Sequence, residues 1–569
     1  MRLLCALVCA AAAFPQSVPL KDRVLILVND RVPEGVSVGQ YYAAKRNIPS
    51  ANILHLKTSA AEQISQEEYK DQIENPLRKF LDANDGAMRR KILYIVPTYG
   101  VPVKIAQQFA VDSVLVMMYA GHESDKPPLR NPYSAATGSR PLHFAEWSDT
   151  VAAANNFKMF VVTRLDGPSA EIAKGLVDKA IQAETSLTMK SGVAYFDSQG
   201  TRHPEEWQYA IDEEIKAASE MSRKAGFTTV LNVQAGALCG SSFPPPPQYL
   251  YDAANQRIGV SAQGATAAAA FSFPPIPEGD FTFQAAQGEV QNTGNSITLT
   301  LGGASDKSRV RLFYPFVPYK QWNISDEIVL EKTVDGVVAA RIGVPVQRDE
   351  KSMNQFGALR LSVRKTRLAA YRDGVEIAAV DDKSGHPIAL EKASLSANCW
   401  GFSIKGLSVT DAAGTPVWDD KFSTDSTARY QWRTSPRPGL NALWVWGWYG
   451  MAFDSYRFVP GAVGAQLTSF TADRIRTPVN ADPKLASVTA MRWMGNWVPR
   501  MLEEGVTATW GAVTEPYAVY YAPGGNVFDH LWAGYNFGDS FYIAQNAVRW
   551  VMLAVGDPLY SPRLFARPR

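Results

Sequence analysis

The spacing of apolar and polar positions divides the chain into three stretches with different periods. From residue 23 to residue 224, short continuous apolar runs alternate with segments whose apolar residues recur every three or four positions. Residues 23–28, 53–56, 92–96, 157–163 and 192–196 read as strands buried on both faces. Residues 36–46, 66–81, a segment opening at Pro168, and 207–224 read as the helices between them. Alternating strands and helices imply right-handed crossovers and a parallel, doubly wound sheet, whose ligands collect at the carboxyl ends of the strands. At Phe243-Pro-Pro-Pro-Pro-Gln248 the pattern stops, because a proline run cannot continue a helix. From about residue 260 to 422 the period is two, as in SITLTLG, RVRLFYP and WGFSIKGLSVTD. Asp373-Gly374 supplies the positive φ of a tight hairpin between two such runs. Period-two runs of this kind predict an antiparallel β-sandwich inserted into the α/β protein. Near residue 440 the first pattern resumes, with strands at 442–446, 462–467, 507–513 and 551–555 and helices at 493–504, 527–531 and 541–551.

These periods set the expected domains: an α/β part over 20–250, an inserted sandwich over 255–425, and a second α/β part over 438–569 that completes the first. The opening MRLLCALVCAAAAFPQS changes the picture at the amino terminus. One Arg2, an apolar run and the trio Ala11, Ala12, Ala13 read as a secretory signal spanning 1–13, cleaved before Phe14, which predicts a periplasmic or secreted protein. No later window has the roughly 18 continuous apolar residues of a membrane span. Charge adds an exclusion: 57 Lys and Arg against 55 Asp and Glu give a net +2 with no basic run, so nucleic acid is not an expected partner. Loss of the signal removes Cys5 and Cys9 and leaves Cys239 and Cys399, whose pairing the sequence leaves open. Six scattered histidines give no metal-ligand spacing, and the first strand-to-helix turn, NDRVPEGVS, lacks the glycines of a dinucleotide site, so neither metal nor cofactor is expected.

Candidate chemistry gathers late in the chain, in LWVWGWYGMAFDSYRFVPGAVGAQLTSF, where two strands end at Gly447–Tyr449 and at Thr468 and Ser469. Ser469 is a candidate nucleophile, with His530 or His122 as the base that folding could bring to it, His530 being the one expected. No Gly-x-Ser-x-Gly elbow accompanies it, and a strand-end serine bonding its own backbone is the preferred account of it. Gly447, Trp448, Tyr449, Glu515 and Tyr517 converge on the same face as candidate binding residues. Glu515 there is either a carboxyl raised by desolvation or the partner of Arg474 or Arg476. Arg164 and Asp166 flank a strand-to-helix turn and can pair across it. In the sandwich, Tyr371, Trp400 and Trp418 are either core or sugar-stacking platforms.

The segments KDRVLILVND, GQYYAAKRNIP, VTRLDGPSAEIAKGLVDKAI, WGWYG with PGAVGAQLTSF, and TEPY with AVGDPLY together resemble an uncharacterised exported family of bacteria that carry exosortase sorting systems. More distantly, "KRNIP", "TRLDGP" and the late "GDP" resemble the gingipain-type cysteine peptidases of the caspase-like fold. The sandwich resembles concanavalin-like jelly rolls. The gingipain resemblance implies a catalytic His-Gly after one strand and a Cys after the next, positions that fall near Trp446-Gly447 and Thr468-Ser469, where neither His nor Cys occurs. It therefore implies a binding or surface-processing accessory protein without the dyad. A serine-type hydrolase and a glycan-binding envelope protein are the alternatives, with peptide or cell-envelope polysaccharide as the partners each would take.

Overall fold

The computed structural model describes residues 18–106, 108–119, 126–198, 204–205, 207–232, 248–261, 266–287, 295–303, 307–316, 327–345, 357–397, 401–435, 440–448, 456–476, 497–562 and 564. The expected signal at 1–13, His122, His203, Cys239, Cys399, Trp400 and Tyr449 lie outside them.

Among the described residues, ten strands form the two main sheets of the α/β body: β1 (Val24–Asn29), β2 (Ile53–Leu56), β3 (Tyr94–Pro97), β4 (Val161–Val162), β5 (Val193–Asp197), β6 (Thr228–Asn232), β7 (Leu440–Trp448), β8 (Tyr456–Leu467), β9 (Ala508–Ala512) and β10 (Met552–Val555). The order β2-β1-β3-β4 makes one parallel sheet, and β6-β5-β7-β8-β9-β10 makes the second. In the second sheet β10 runs antiparallel to β9, where the alternating pattern had predicted parallel strands throughout. The reason is where β10 lies. Arg164, just beyond β4, bridges Val555 in parallel, with Arg164 N–H donating to Ala554 O and Gly556 N–H donating to Arg164 O, both at 2.9 Å. β10 therefore follows the direction of the first sheet and joins the two edge to edge. Trp510 on β9 meets Trp446, Phe528 and Phe541, while a Cβ at Gly511 would meet Val498, so helices cover both faces.

The motifs that carry the resemblance meet across these sheets as buried clasps. Helix Pro33–Arg46 has proline at its first turn and ends on Asn47 in the left-handed region. Its Tyr42 hydroxyl and Arg46 Nε reach the fully buried Asp557 carboxylate, at 2.7 and 2.6 Å. Arg164 is also fully buried. It holds Asp112 through two N–H groups at 2.6 and 2.9 Å and Asp166 at 2.8 Å. Asp166 in turn accepts from Arg476 at 2.9 and 3.0 Å, and Glu62 accepts the backbone N–H of Ile475 and Arg476. This network ties the segment after β8 to the first sheet, so Arg164 and Asp166 pair across their turn in a structural role.

Strands from Gln248–Asp252 to Gln431–Ser435 form two antiparallel sheets, one of eight strands and one of seven, around a core of their own. Period-two alternation is the cause: Phe281, Phe283, Leu359, Leu361 and Val363 point inward against Ile297, Leu299 and Leu301 of the other sheet. Arg367–Arg372 and Val375–Asp381 form the predicted hairpin, with Asp373 and Gly374 at φ 48° and 85°. One predicted helix breaks in two. Residues 541–551 contain the end of helix Phe537–Ala544, then the strand Ala547–Val548, because Asn536 caps the helix a turn early and Arg549 takes a φ of 56°.

Candidate functional site

β7 presents Trp444, Trp446 and Trp448 on one face at period two. Trp444 fills the core between Phe227, Phe528 and Trp532. The other two indoles face helix Trp207–Lys224, where each finds an acid. Trp446 Nε1–H donates to Glu214 Oε2 at 2.6 Å and Trp448 Nε1–H to Asp212 Oδ1 at 2.7 Å. Helix Gly524–Trp532 closes over them, and its first two residues must be glycine. A Cβ on Gly524 would lie 2.4 Å from Trp446 Cγ, and one on Gly525 would lie 2.6 Å from Ala218 Cβ and 2.7 Å from Glu214 Oε1. That approach lets the Gly525 N–H donate to Glu214 Oε1 at 3.2 Å.

A cleft of about 530 Å³ opens at this point, beside the carboxyl ends of β7 and β8. Trp446, Leu467 and Tyr521 give it apolar and aromatic walls, while Glu214, Asn526 and Arg130 supply polar groups. The size and the balance of walls to polar groups are those of small-ligand sites. Burial pushes the Glu214 carboxyl up to about 7, against the opposing pull of the two N–H donors. No Lys, Arg or His among the described residues forms an ion pair with it. Asn526 is 5% exposed; its Nδ2 donates to Ala135 O at 2.7 Å, and its Oδ1 accepts no hydrogen bond.

The residues singled out from the sequence divide around this cleft. Ser469 and Glu515 come together, with the serine hydroxyl donating to Glu515 Oε2 at 2.5 Å. Glu515 is exposed, so the desolvated carboxyl expected there is Glu214 instead, and Arg476 pairs with Asp166. Tyr517 is 60% exposed, with φ 52°, beside the cleft-lining Ala518 and Val519. His530 is not brought to Ser469. Its Nδ1 and Nε2 each sit 2.9 Å from a backbone carbonyl, those of Asn526 and Ser139, and the ring is fully buried. No hydrogen bond joins the two residues, so the imidazole expected as base is committed elsewhere. Trp448 is 3% exposed and bonded to Asp212, which makes it a wall behind the cleft and not an open contact. Gly447 is needed for packing: a Cβ there would lie 2.5 Å from Asp197 O on the neighbouring β5.

Sequence reasoning missed Glu214, Asp212 and Asn526. A signal existed for the first. Glu214 lies three residues after Ile211 and four before Ala218, on the apolar stripe of its helix, where an acid requires a buried partner.

In the sandwich, neither described aromatic offers an open ring. Trp418 stacks on Phe271 at 4.8 Å with the Arg429 guanidinium 4.1 Å from its centroid, and Arg360 lies 4.0 Å from the Tyr371 centroid. Beside Tyr371, Arg364 pairs with Asp280 at 3.0 Å on the outer face of the eight-stranded sheet. Among the described residues no group of three or more His, Cys, Asp or Glu is placed to hold a metal ion, and no helix is long and apolar enough to cross a membrane.

Neither a family model nor a curated protein matches the chain. Solved structures are similar to part of it. Sheep galectin-11 in complex with glycerol is 10% identical, over 25% of this chain and 95% of that one, with a TM-score of 0.20. The carbohydrate-binding module CBM66 from Bacillus subtilis is 10% identical, over 30% of this chain and 96% of that one, with a TM-score of 0.21. A Bacillus subtilis protein of unknown function with a galectin-like fold is 13% identical, over 30% of this chain and 88% of that one, with a TM-score of 0.23.

Proposed function

We propose that this is an exported accessory protein whose α/β body binds a small ligand or a peptide end in the cleft beside β7 and β8. The observation that carries the reading is the cleft itself: about 530 Å³ at the carboxyl ends of parallel strands, with one carboxyl held by neutral N–H donors alone. A gingipain-like ancestry of the body is part of the proposal. Its support is that β7 and β8, at whose carboxyl ends Trp446-Gly447 and Thr468-Ser469 stand, are adjacent parallel strands. With Trp446-Gly447 and Thr468-Ser469 there, the thiolate mechanism has no groups to run on. Export rests on the opening MRLLCALVCAAAAFPQS. The test is ligand-observed NMR of a mixed fragment and short-peptide library against the wild type and Leu467→Trp, which fills the cleft. A set of compounds that bind the wild type and are lost on the variant is expected. Binding that Leu467→Trp leaves intact, or no binding at all, overturns the reading.

A second reading assigns glycan binding to the sandwich. Its support is the charged outer face made by Asp280, Arg360 and Arg364 around Tyr371, beside half-buried Ser362. Proteins of similar architecture are named as lectins and carbohydrate-binding modules. Retention of the full chain on a polysaccharide column, lost with Arg360→Ala, is the expected result; equal elution of both proteins ahead of the polysaccharide-bound fraction removes it.

A further inference from the structure

We propose that the cleft selects a protonated amine or guanidinium head, seated on the Glu214 carboxylate with the Asn526 amide oxygen as its second acceptor. The proposal rests on the reading of the cleft as a ligand site and names the chemistry of its ligand.

Glu214 spends its inward N–H contacts on Trp446 and Gly525, one donor to each oxygen. A carboxylate has about four lone-pair sites, so two donors leave acceptor capacity unused. Asn526 is oriented by its Nδ2 bond to Ala135 O, which fixes its Oδ1 as an unused acceptor in a side chain more than nine-tenths buried. A buried acceptor without a donor costs free energy, and a ligand that supplies N–H groups recovers it. Both side chains line the same cleft, with the Asn526 oxygen enclosed in its wall. A hydroxyl ligand satisfies one of them. An ammonium has three donors and a guanidinium five, and each also brings the positive charge that the carboxylate lacks.

The charged and titratable groups facing the cleft are Glu214 from helix Trp207–Lys224, Tyr521 from the loop before helix Gly524–Trp532, and Arg130 from the strand Leu129–Arg130. Burial holds the Tyr521 hydroxyl well above its ordinary range, so it stays neutral. Arg130 is exposed and stands on the wall opposite in charge to Glu214. A ligand carrying a single positive head and a neutral or anionic remainder fits that arrangement; a polycation does not.

The experiment is a fluorescence titration of the full chain, read through its tryptophans, with four matched probes at pH 8. Phenethylamine and benzamidine carry the cationic heads, and 2-phenylethanol and benzamide are their neutral counterparts. Tighter binding of each cation than its counterpart by about ten-fold or more is expected, as for a charge-assisted hydrogen bond. A tripeptide with a free amino terminus, its acetylated form and N-acetyl-lysine methylamide separate a chain terminus from a basic side chain. Glu214→Gln should abolish the preference of each cation over its neutral counterpart. The pH profile needs no variant: cation affinity should fall as pH drops below about 7, where Glu214 takes up its proton, and neutral-probe affinity should stay flat. Cation and neutral probes that bind equally overturn this inference alone. Binding of none of the probes overturns the ligand-site reading with it.

Discussion

Replacing Glu214 by glutamine should make the α/β body more stable at high pH and less stable at low pH. In the folded protein the carboxyl is raised from 4.5 to about 7. The folded state therefore holds this proton more tightly than the unfolded chain does. Its contribution is fully present below pH 4.5 and is lost as pH rises through about 7. Over that window the wild type forfeits about 3 kcal/mol that a neutral amide does not, at about 1.4 kcal/mol per tenfold change in proton affinity. Glutamine has one oxygen for two donors. Either Trp446 or Gly525 is left facing an amide nitrogen, at a cost of about 1 kcal/mol. The variant should therefore be about 2 kcal/mol more stable than the wild type at pH 8 and about 1 kcal/mol less stable at pH 4.5, with the two lines crossing between. Urea unfolding of both proteins across this range, followed by tryptophan emission, measures the difference directly, and every other titrating group cancels in it. A difference that does not change with pH would refute the assignment of Glu214 as a buried, uncompensated carboxyl.

The other substitutions test the frame around the cleft. Gly525→Ala places a Cβ 2.6 Å from Ala218; thermal unfolding should show a loss of about 1–3 kcal/mol, and probe binding should weaken with it. Asp112→Asn leaves the fully buried Arg164 with one carboxylate in place of two, which should cost about 3–5 kcal/mol in urea unfolding. Ser469→Ala removes one hydrogen bond to the exposed Glu515. It should change stability by less than about 1 kcal/mol and leave both probe binding and exposure to a peptide library unchanged; peptide cleavage by the wild type, abolished in this variant, would restore the serine-type hydrolase.

Strands were legible wherever burial repeats at a fixed period. All six residues of Val24–Asn29 are buried, and so reads its sequence; Asp373-Gly374 marks its hairpin because few other pairs accept two successive positive φ angles. Direction was not legible for β10, since an apolar run of four carries no sign of the strand it pairs with, and the bridge to Arg164 that turns it is made 391 residues away in sequence, at Arg164 and Val555. The late WGWYG and QLTSF segments lie at the end of the sheet where the cleft opens. The desolvated carboxyl expected there was Glu515, which follows the strands in sequence, whereas Glu214 reaches Trp446 from a helix 232 residues earlier. "KRNIP", "TRLDGP" and "GDP" carried the resemblance, and their charged residues prove to be clasps: Arg46 on Asp557, and Arg164 with Asp166 on Asp112 and Arg476. Motif residues of this kind report how the two sheets are fastened, while the cleft is built from residues on a helix stripe and a diglycine turn that no local pattern sets apart.

The most direct measurement is the carboxyl carbon resonance of Glu214, followed by NMR against pH in glutamate-labelled protein, without ligand and with saturating phenethylamine. The account predicts a midpoint of about 7 in the free protein, moved downward when the cation is bound, because an ammonium on the carboxylate favours its charged form. A midpoint near 4.5 in the free protein, or one that phenethylamine leaves in place, would contradict it.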